Sequence, residues 1–264
     1  MSADSPTSPP AQQPPPVRIA KPTRVFTWLK LGWRDLRAAK WISLAHGLLV
    51  VLLSYVVLAT TLARWELVII AVSCFVFVGP FLATGLYAVS RTLENQQQPS
   101  LGDAIGAWRH ASHCLFRFGL LLVFIGVWWV GISTLLFYLF VNVSIEDPVD
   151  FLRYVLTQQE ALFALWTILG GLYAAVTFAI TVVTMPLLAD RDVNSRVALQ
   201  TSIRTVSENP FTMVTWAMVI MALTGISIVT GMLGFLLLYP LMGHASWHVY
   251  RELVDASELP TYSA

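Results

Sequence analysis

The sequence predicts an all-α membrane protein, a polytopic bundle of six transmembrane helices in three repeated units. Two features of composition favour this class: 56% of the 264 residues are hydrophobic and only 12% are charged. A soluble domain carries about 25% charged residues, so this chain has too few charges to cover a water-facing surface. Long uncharged runs are the third observation, and they set the number of helices. The net charge of +1 shows no bias toward nucleic acid as a partner.

The chain divides into a tail, a membrane domain and a second tail. Residues 1–24 are rich in Pro, Ser and Gln, a composition typical of a disordered segment. We expect the membrane domain to cover residues 25–255 and a short cytoplasmic tail to cover residues 256–264. Amphipathic stretches predict helices that lie in the membrane interface near residues 25–40, 101–113 and 195–208.

The lengths of the uncharged runs predict six spans. A helix needs about 20 apolar residues to cross a bilayer core. Four runs have a length suited to one crossing: residues 41–63, 67–90, 118–140 and 161–189. The last run, Phe211 to Tyr250, is 40 residues long, which is about twice the length that one crossing requires. We therefore expect two helices there, with a turn near Thr230 and Gly231.

The positive charges predict the orientation. With six spans, 14 of the 16 Lys and Arg residues lie on one side of the membrane, and only Arg64 and Arg153 lie on the other. Cytoplasmic segments carry the excess of positive charge in membrane proteins. We therefore expect a multi-pass protein of the bacterial inner membrane with both termini in the cytoplasm.

An internal repeat is predicted by three arginines, Arg34, Arg109 and Arg204. Each precedes an aromatic residue by seven positions, and each lies on a short amphipathic stretch that is followed by two spans. We interpret the three units as copies of one interfacial helix and two spans. The arginines, together with Trp33 and Trp108, are predicted to anchor the units at the membrane interface.

A proline lies in the second span of every unit. These prolines are Pro80, Pro186 and Pro240. Because proline removes a backbone hydrogen bond and kinks a helix, the three could shape a central cavity. The alternative is that the kinks only improve packing within the bundle.

Histidines are the candidate metal ligands. His244 and His248 are four residues apart, and His110 and His113 are three apart, so each pair shares one face of a helix. Imidazole suits zinc, copper and iron. The alternative, which we favour, is that these histidines lie at the interface and contact headgroups, backbone or water. We therefore expect no metal and no cofactor.

No catalytic motif stands out in the sequence, which has no HExxH, CxxC, P-loop or GxGxxG pattern. We therefore expect no enzymatic activity. The leading hypothesis is a non-enzymatic scaffold or accessory subunit that contacts lipid and other membrane subunits. A carrier or channel for a neutral or apolar solute is the alternative, and a haem- or copper-binding protein of the respiratory chain is a further one.

Five segments of the chain resemble a known family. They are GWRDL at 32–36, SLAHG at 43–47, GPFLATGLYAVSR at 79–91, SIRTVSENP at 202–210 and PLMGHASWHVYREL at 240–253. Together they resemble the prokaryotic predicted integral membrane proteins of domain of unknown function 2189, over about residues 25–255. Some members carry the label of a cytochrome c oxidase. The resemblance implies a shared membrane fold and names no activity.

Overall fold

A computed structural model describes residues 13–63, 68–109, 113–141 and 160–262, with residues 153, 154 and 157. For residues 60–63, 68–78 and 109 it describes the backbone only. Within these ranges the regular structure is helical, apart from one antiparallel bridge that joins Val17 to Val254. The prediction of an all-α fold is therefore confirmed for the described residues.

The helices follow one another in the order that the sequence predicts. They are α1 (Arg24–Ala63), α2 (Val68–Glu94), α3 (Leu101–Arg109), α4 (His113–Phe140), α5 (Glu160–Thr181), α6 (Thr184–Asp190), α7 (Ser195–Glu208), α8 (Pro210–Val229) and α9 (Phe235–Leu253). Four stretches are long and apolar enough to cross a membrane: Arg24–Ala59, His113–Phe140, Glu160–Asp190 and Pro210–Val229. The stretch Glu160–Asp190 combines α5 and α6.

Two boundaries inside the bundle lie where local sequence signals place them. Lys40 has a non-helical backbone (φ 16°, ψ −79°), which separates the amphipathic first part of α1 from its apolar second part. The chain between α8 and α9 turns at Gly231, whose φ of 64° favours glycine.

One of the three prolines interrupts its helix. The ring of Pro186 would collide with the carbonyl of Val182 in a regular helix, and α5 and α6 are separated at Val182 and Val183. The Ser202 hydroxyl lies within this break, accepting a hydrogen bond from Val183 N (3.1 Å) and donating one to Ala179 O (2.7 Å). A side chain inserted between a backbone donor and acceptor is a recognised cause of a helix break. Pro80 and Pro240 instead lie within α2 and α9.

Helices α1 and α9 pack with their backbones almost in contact. A Cβ atom on Gly32 would lie 2.7 Å from Ala245 N, and one on Gly47 would lie 2.1 Å from Leu236 O. Small residues allow this close approach of membrane helices. This close packing brings polar side chains of α1 within reach of polar side chains of α9.

The described part of the N-terminal tail departs from the predicted disorder. Arg18 N donates to Leu253 O (2.7 Å), and Asp255 N donates to Pro16 O (3.0 Å). The Arg18 guanidinium also lies 2.7 Å from the Asp255 carboxylate. Amino-acid composition indicates only how much apolar surface a segment can bury by itself. This segment is instead held by hydrogen bonds to the backbone at the end of α9 and just after it.

The C-terminal tail is also held against the bundle. Pro260 O accepts a hydrogen bond from Asp192 N (2.9 Å), and Leu259 O accepts one from the Arg191 guanidinium (3.0 Å). Residues 13–23 and 254–262 thus cover one end of the bundle, which we call the terminal face. The predicted boundaries at residues 24 and 256 therefore separate segments that pack together.

Candidate functional site

A cavity of about 270 Å³ lies between α2, α5, α8 and α9. Its walls are apolar side chains and hydroxyl groups, and none of the described residues that line it carries a charge. Ligand pockets in proteins are concave and mostly apolar, with a few polar groups. This cavity has the same character, and it is the first candidate site.

The cavity lies beside two of the three prolines. Pro80 is part of its wall, as is Tyr239, the residue before Pro240, whereas Pro186 is not among the lining residues. The Tyr239 hydroxyl donates to Gly79 O over 2.7 Å. This bond joins α9 to α2 beside both prolines, so it holds one wall of the cavity together.

A second candidate site is a buried polar chain where α1, α2 and α9 meet. The His244 ring is fully buried and lies 2.8 Å from Ser43 Oγ through Nε2 and 2.7 Å from Ser90 Oγ through Nδ1. Ser90 Oγ and His248 Nε2 each lie within 3.0 Å of the same oxygen of Asp35. Five side chains from three helices thus form one connected chain of hydrogen bonds.

The direction of these bonds follows from the hydrogens that each group has. The Asp35 carboxylate only accepts, so Ser90 donates its single hydrogen to Asp35 and accepts from His244 Nδ1. His244 Nε2 is then unprotonated and accepts from the Ser43 hydroxyl. Each of the five side chains has at least one hydrogen-bond partner, which offsets the cost of its burial in an apolar bundle. Ser43 and His244 are both fully buried, so a substrate could not reach this serine as a nucleophile.

Ionic groups join the helix ends at the terminal face. Arg251 lies 2.8 Å from Glu94, which also accepts a hydrogen bond from Trp247 Nε1 (3.0 Å). Asp190 accepts from the Tyr250 hydroxyl (2.8 Å) and lies 3.1 Å from the Arg191 guanidinium. The ends of α2, α6 and α9, the helices that contain Pro80, Pro186 and Pro240, are therefore held together.

Comparison with known families found a match for the central part of the chain. Residues 67–190 match the sequence model of a family described as a predicted integral membrane protein (DUF2189). The chain is similar to that family over this segment. The match covers α2 to α6, a narrower range than the residues 25–255 over which the resemblance was expected. No significant match was found among curated proteins or among solved structures.

The candidate histidines contact different partners. His244 is fully buried, and its ring nitrogens contact Ser43 and Ser90 rather than headgroups, backbone or water. His248 contacts Asp35, and His113 is exposed at the start of α4. His110 lies outside the described residues. Among the described residues, no group of three or more His, Cys, Asp or Glu side chains could hold a metal ion.

The predicted interfacial anchors have different surroundings. The Arg34 side chain is 69% exposed, and Arg204 is half-exposed and lies 2.6 Å from Glu208. Trp33 is also exposed. The indole nitrogen of Trp108 is instead buried without a partner among the described residues, and its ring lies 5.3 Å from the His46 ring. The side chain of Arg109 lies outside what the structure describes.

Asp35, Ser43 and Ser90 were not predicted as site residues. One signal for Asp35 is present in the sequence, since it falls on the same face of α1 as the buried Val25, Trp28 and Gly32. A lone carboxylate on a buried helix face needs a partner. The serines carry no such signal, because most serines in membrane helices bond to their own backbone.

Proposed function

We propose that this protein is a non-enzymatic membrane carrier that binds one small, uncharged and largely apolar molecule in its central cavity. The observation that carries the proposal is the uncharged cavity between α2, α5, α8 and α9. Carriers commonly bind their substrate near the bilayer midplane. Ile220 and Thr224, which line the cavity, lie near the middle of α8.

A groove on the outside of the bundle supports entry of the molecule from the bilayer. Its volume is about 440 Å³, and it lies between α4 and α5 with Phe124, Trp128 and Tyr173 in its walls. The first two side chains are more than half exposed. Thr177 lines both this groove and the central cavity. The groove and the cavity therefore meet at this side chain of α5, which supports a path for a lipid-soluble molecule between them.

We also propose six spans in three units, with both termini in the cytoplasm of a bacterium. An amphipathic helical segment followed by two longer helical stretches occurs three times along the chain, beginning at α1, α3 and α7. Two spans per unit return the chain to the same side of the membrane. The ionic contacts of Glu94, Asp190 and Arg251 at the terminal face support this order, because they join the ends of the second spans.

Reporter fusions test the topology. Fusions after residues 100, 195 and 258 should report the cytoplasm, and one at residue 148 should report the periplasm, because the positive charges lie on the cytoplasmic side. Alkaline phosphatase and a fluorescent protein give opposite signals at each position. A periplasmic signal after residue 258 would mean that α8 and α9 do not both cross the membrane.

Filling the cavity tests the binding function. Ala174 lines the cavity, whereas its neighbour Ala175 does not, and both residues are exposed. We expect the Ala174→Phe variant to lose a molecule that copurifies with the native chain, and the Ala175→Phe variant to keep it. Organic extraction of the purified proteins followed by mass spectrometry measures both. A molecule that is equally abundant in all three proteins would contradict the proposal.

The accessory role that was expected first has less support from the described residues. Helix α4 exposes a row of large apolar side chains that includes Leu120, Phe124 and Trp128. Such a row suits lipid tails and partner helices equally well. The cavity is a feature that packing against lipid does not require, and it therefore favours the carrier.

A further inference from the structure

We infer that the molecule bound in the central cavity carries an uncharged acceptor oxygen, such as a carbonyl, that binds the hydroxyls of Tyr87, Thr177 and Thr224. This inference rests on the proposed function and adds the class of ligand to it. The three residues lie on α2, α5 and α8, so their hydroxyls come from three walls of the same cavity.

The other three hydroxyls in the cavity wall are already bonded within the protein. Thr181 Oγ1 donates to Thr177 O over 2.7 Å, and Ser246 Oγ donates to Met242 O over 2.8 Å. Tyr239 donates to the α2 backbone, as described above. The bonds of Thr181 and Ser246 reach the carbonyl four residues earlier, which is the usual state of Ser and Thr in membrane helices. They leave these groups no hydrogen to offer a ligand.

The hydroxyls of Tyr87, Thr177 and Thr224 have no hydrogen-bond partner among the residues that the structure describes. The fully buried side-chain atoms that lack a partner in the described residues are a different set. They are one ring nitrogen each of His46, Trp108 and Trp216. Tyr87 and Thr177 are only 5% and 6% exposed, so water outside the bundle does not satisfy them. Thr224 is partly buried beside them. An unpaired hydroxyl in an apolar cavity is unfavourable, and two buried ones with a third in the same cavity wall indicate a ligand that accepts hydrogen bonds.

The chemistry of the ligand follows from the wall. No described lining residue carries a positive charge, so a carboxylate or phosphate would be buried without compensation. A carbonyl oxygen is uncharged and has two lone pairs, which two hydroxyls can share. The rest of the ligand contacts apolar side chains such as Ile220 and Phe178, so it is an apolar molecule with a single polar end or centre.

Two probes that differ in one group test this inference. Benzophenone and diphenylmethane have the same two rings, which are joined by a carbonyl in the first and by a methylene in the second. We expect the full-length chain in detergent to bind benzophenone about 3- to 10-fold more tightly, the worth of one or two hydrogen bonds. Titration of both probes under identical detergent conditions measures the ratio, and irradiation of bound benzophenone should crosslink it to cavity residues.

Three isosteric changes and one matched control locate the effect. In a variant with Tyr87→Phe, Thr177→Val and Thr224→Val, both probes should bind with equal affinity. Thr181→Val removes a hydroxyl from the same wall, but one already bonded to backbone, so the preference for benzophenone should persist. Equal affinity of the two probes for the native chain would overturn the inference while leaving cavity binding intact. If Ala174→Phe does not weaken either probe, or the crosslinks lie outside the cavity, the proposed function itself fails.

Discussion

Replacing Gly47 with alanine should destabilise the protein more than the same change at any other described glycine. The new Cβ would lie 2.1 Å from Leu236 O and within 2.9 Å of two further backbone atoms of Leu236. A side chain could rotate away from such a contact, but a helix backbone cannot. Helices α1 and α9 would have to separate, and the Ser43–His244 hydrogen bond between them would be stretched or lost.

The size of this effect can be estimated from overpacked cores. Adding a methylene to a tight interior costs about 1–3 kcal/mol, and we expect at least the upper value here because the obstacle is backbone. Gly171→Ala is the matched control, since nothing lies within 4 Å of a Cβ at that position. Alanine also favours a helix by about 1 kcal/mol over glycine. In thermal unfolding in detergent, we expect the midpoint of Gly47→Ala to lie below that of the native chain. The midpoint of Gly171→Ala should equal or exceed the native value. Equal midpoints for the two variants would contradict the α1–α9 contact.

The features predicted correctly from the sequence are those that neighbouring residues determine. The break at Lys40 follows from a change of amphipathic to apolar sequence, and the turn at Gly231 follows from the length of one uncharged run and a glycine. Helix α7 covers residues 195–208, the range predicted from its amphipathic pattern. Each of these signals lies within the segment whose structure it decides.

The features that were missed depend on contacts between distant segments. Ser43 and His244 are 201 positions apart, and only the pairing of α1 with α9 brings them together. The different outcomes of the prolines have the same origin. Pro186 is accompanied by Ser202 of α7, which satisfies the backbone groups at the break, whereas Pro80 and Pro240 remain within continuous helices. A proline marks where a helix can break, and the neighbouring helix decides whether it does.

Removing the carboxylate of Asp35 should have the second large effect. Asp35 is only 3% exposed, and it accepts from both Ser90 and His248. Asp35→Ala would leave the buried Ser90 hydroxyl and the partly buried His248 ring without this acceptor, and the loss of an acceptor costs a buried donor about 1–3 kcal/mol. We therefore expect a loss of about 3 kcal/mol of stability. Asp35→Asn should retain most of it, because the amide oxygen can still accept from both donors.

A second carboxylate, on α7, provides the control. Glu208 lies 2.6 Å from Arg204, a shorter distance than any contact of Asp35, yet both side chains are substantially exposed. Exposed ion pairs contribute about 0–1 kcal/mol, so Glu208→Ala should leave the unfolding midpoint nearly unchanged. We expect burial, and not proximity to a cation, to determine how much each carboxylate contributes to the stability. The order from most to least stable should then be native, Glu208→Ala, Asp35→Asn and Asp35→Ala. An equal loss in Glu208→Ala and Asp35→Ala would show that the two carboxylates act as surface charges, and that the chain from Ser43 to His248 does not hold α1, α2 and α9 together.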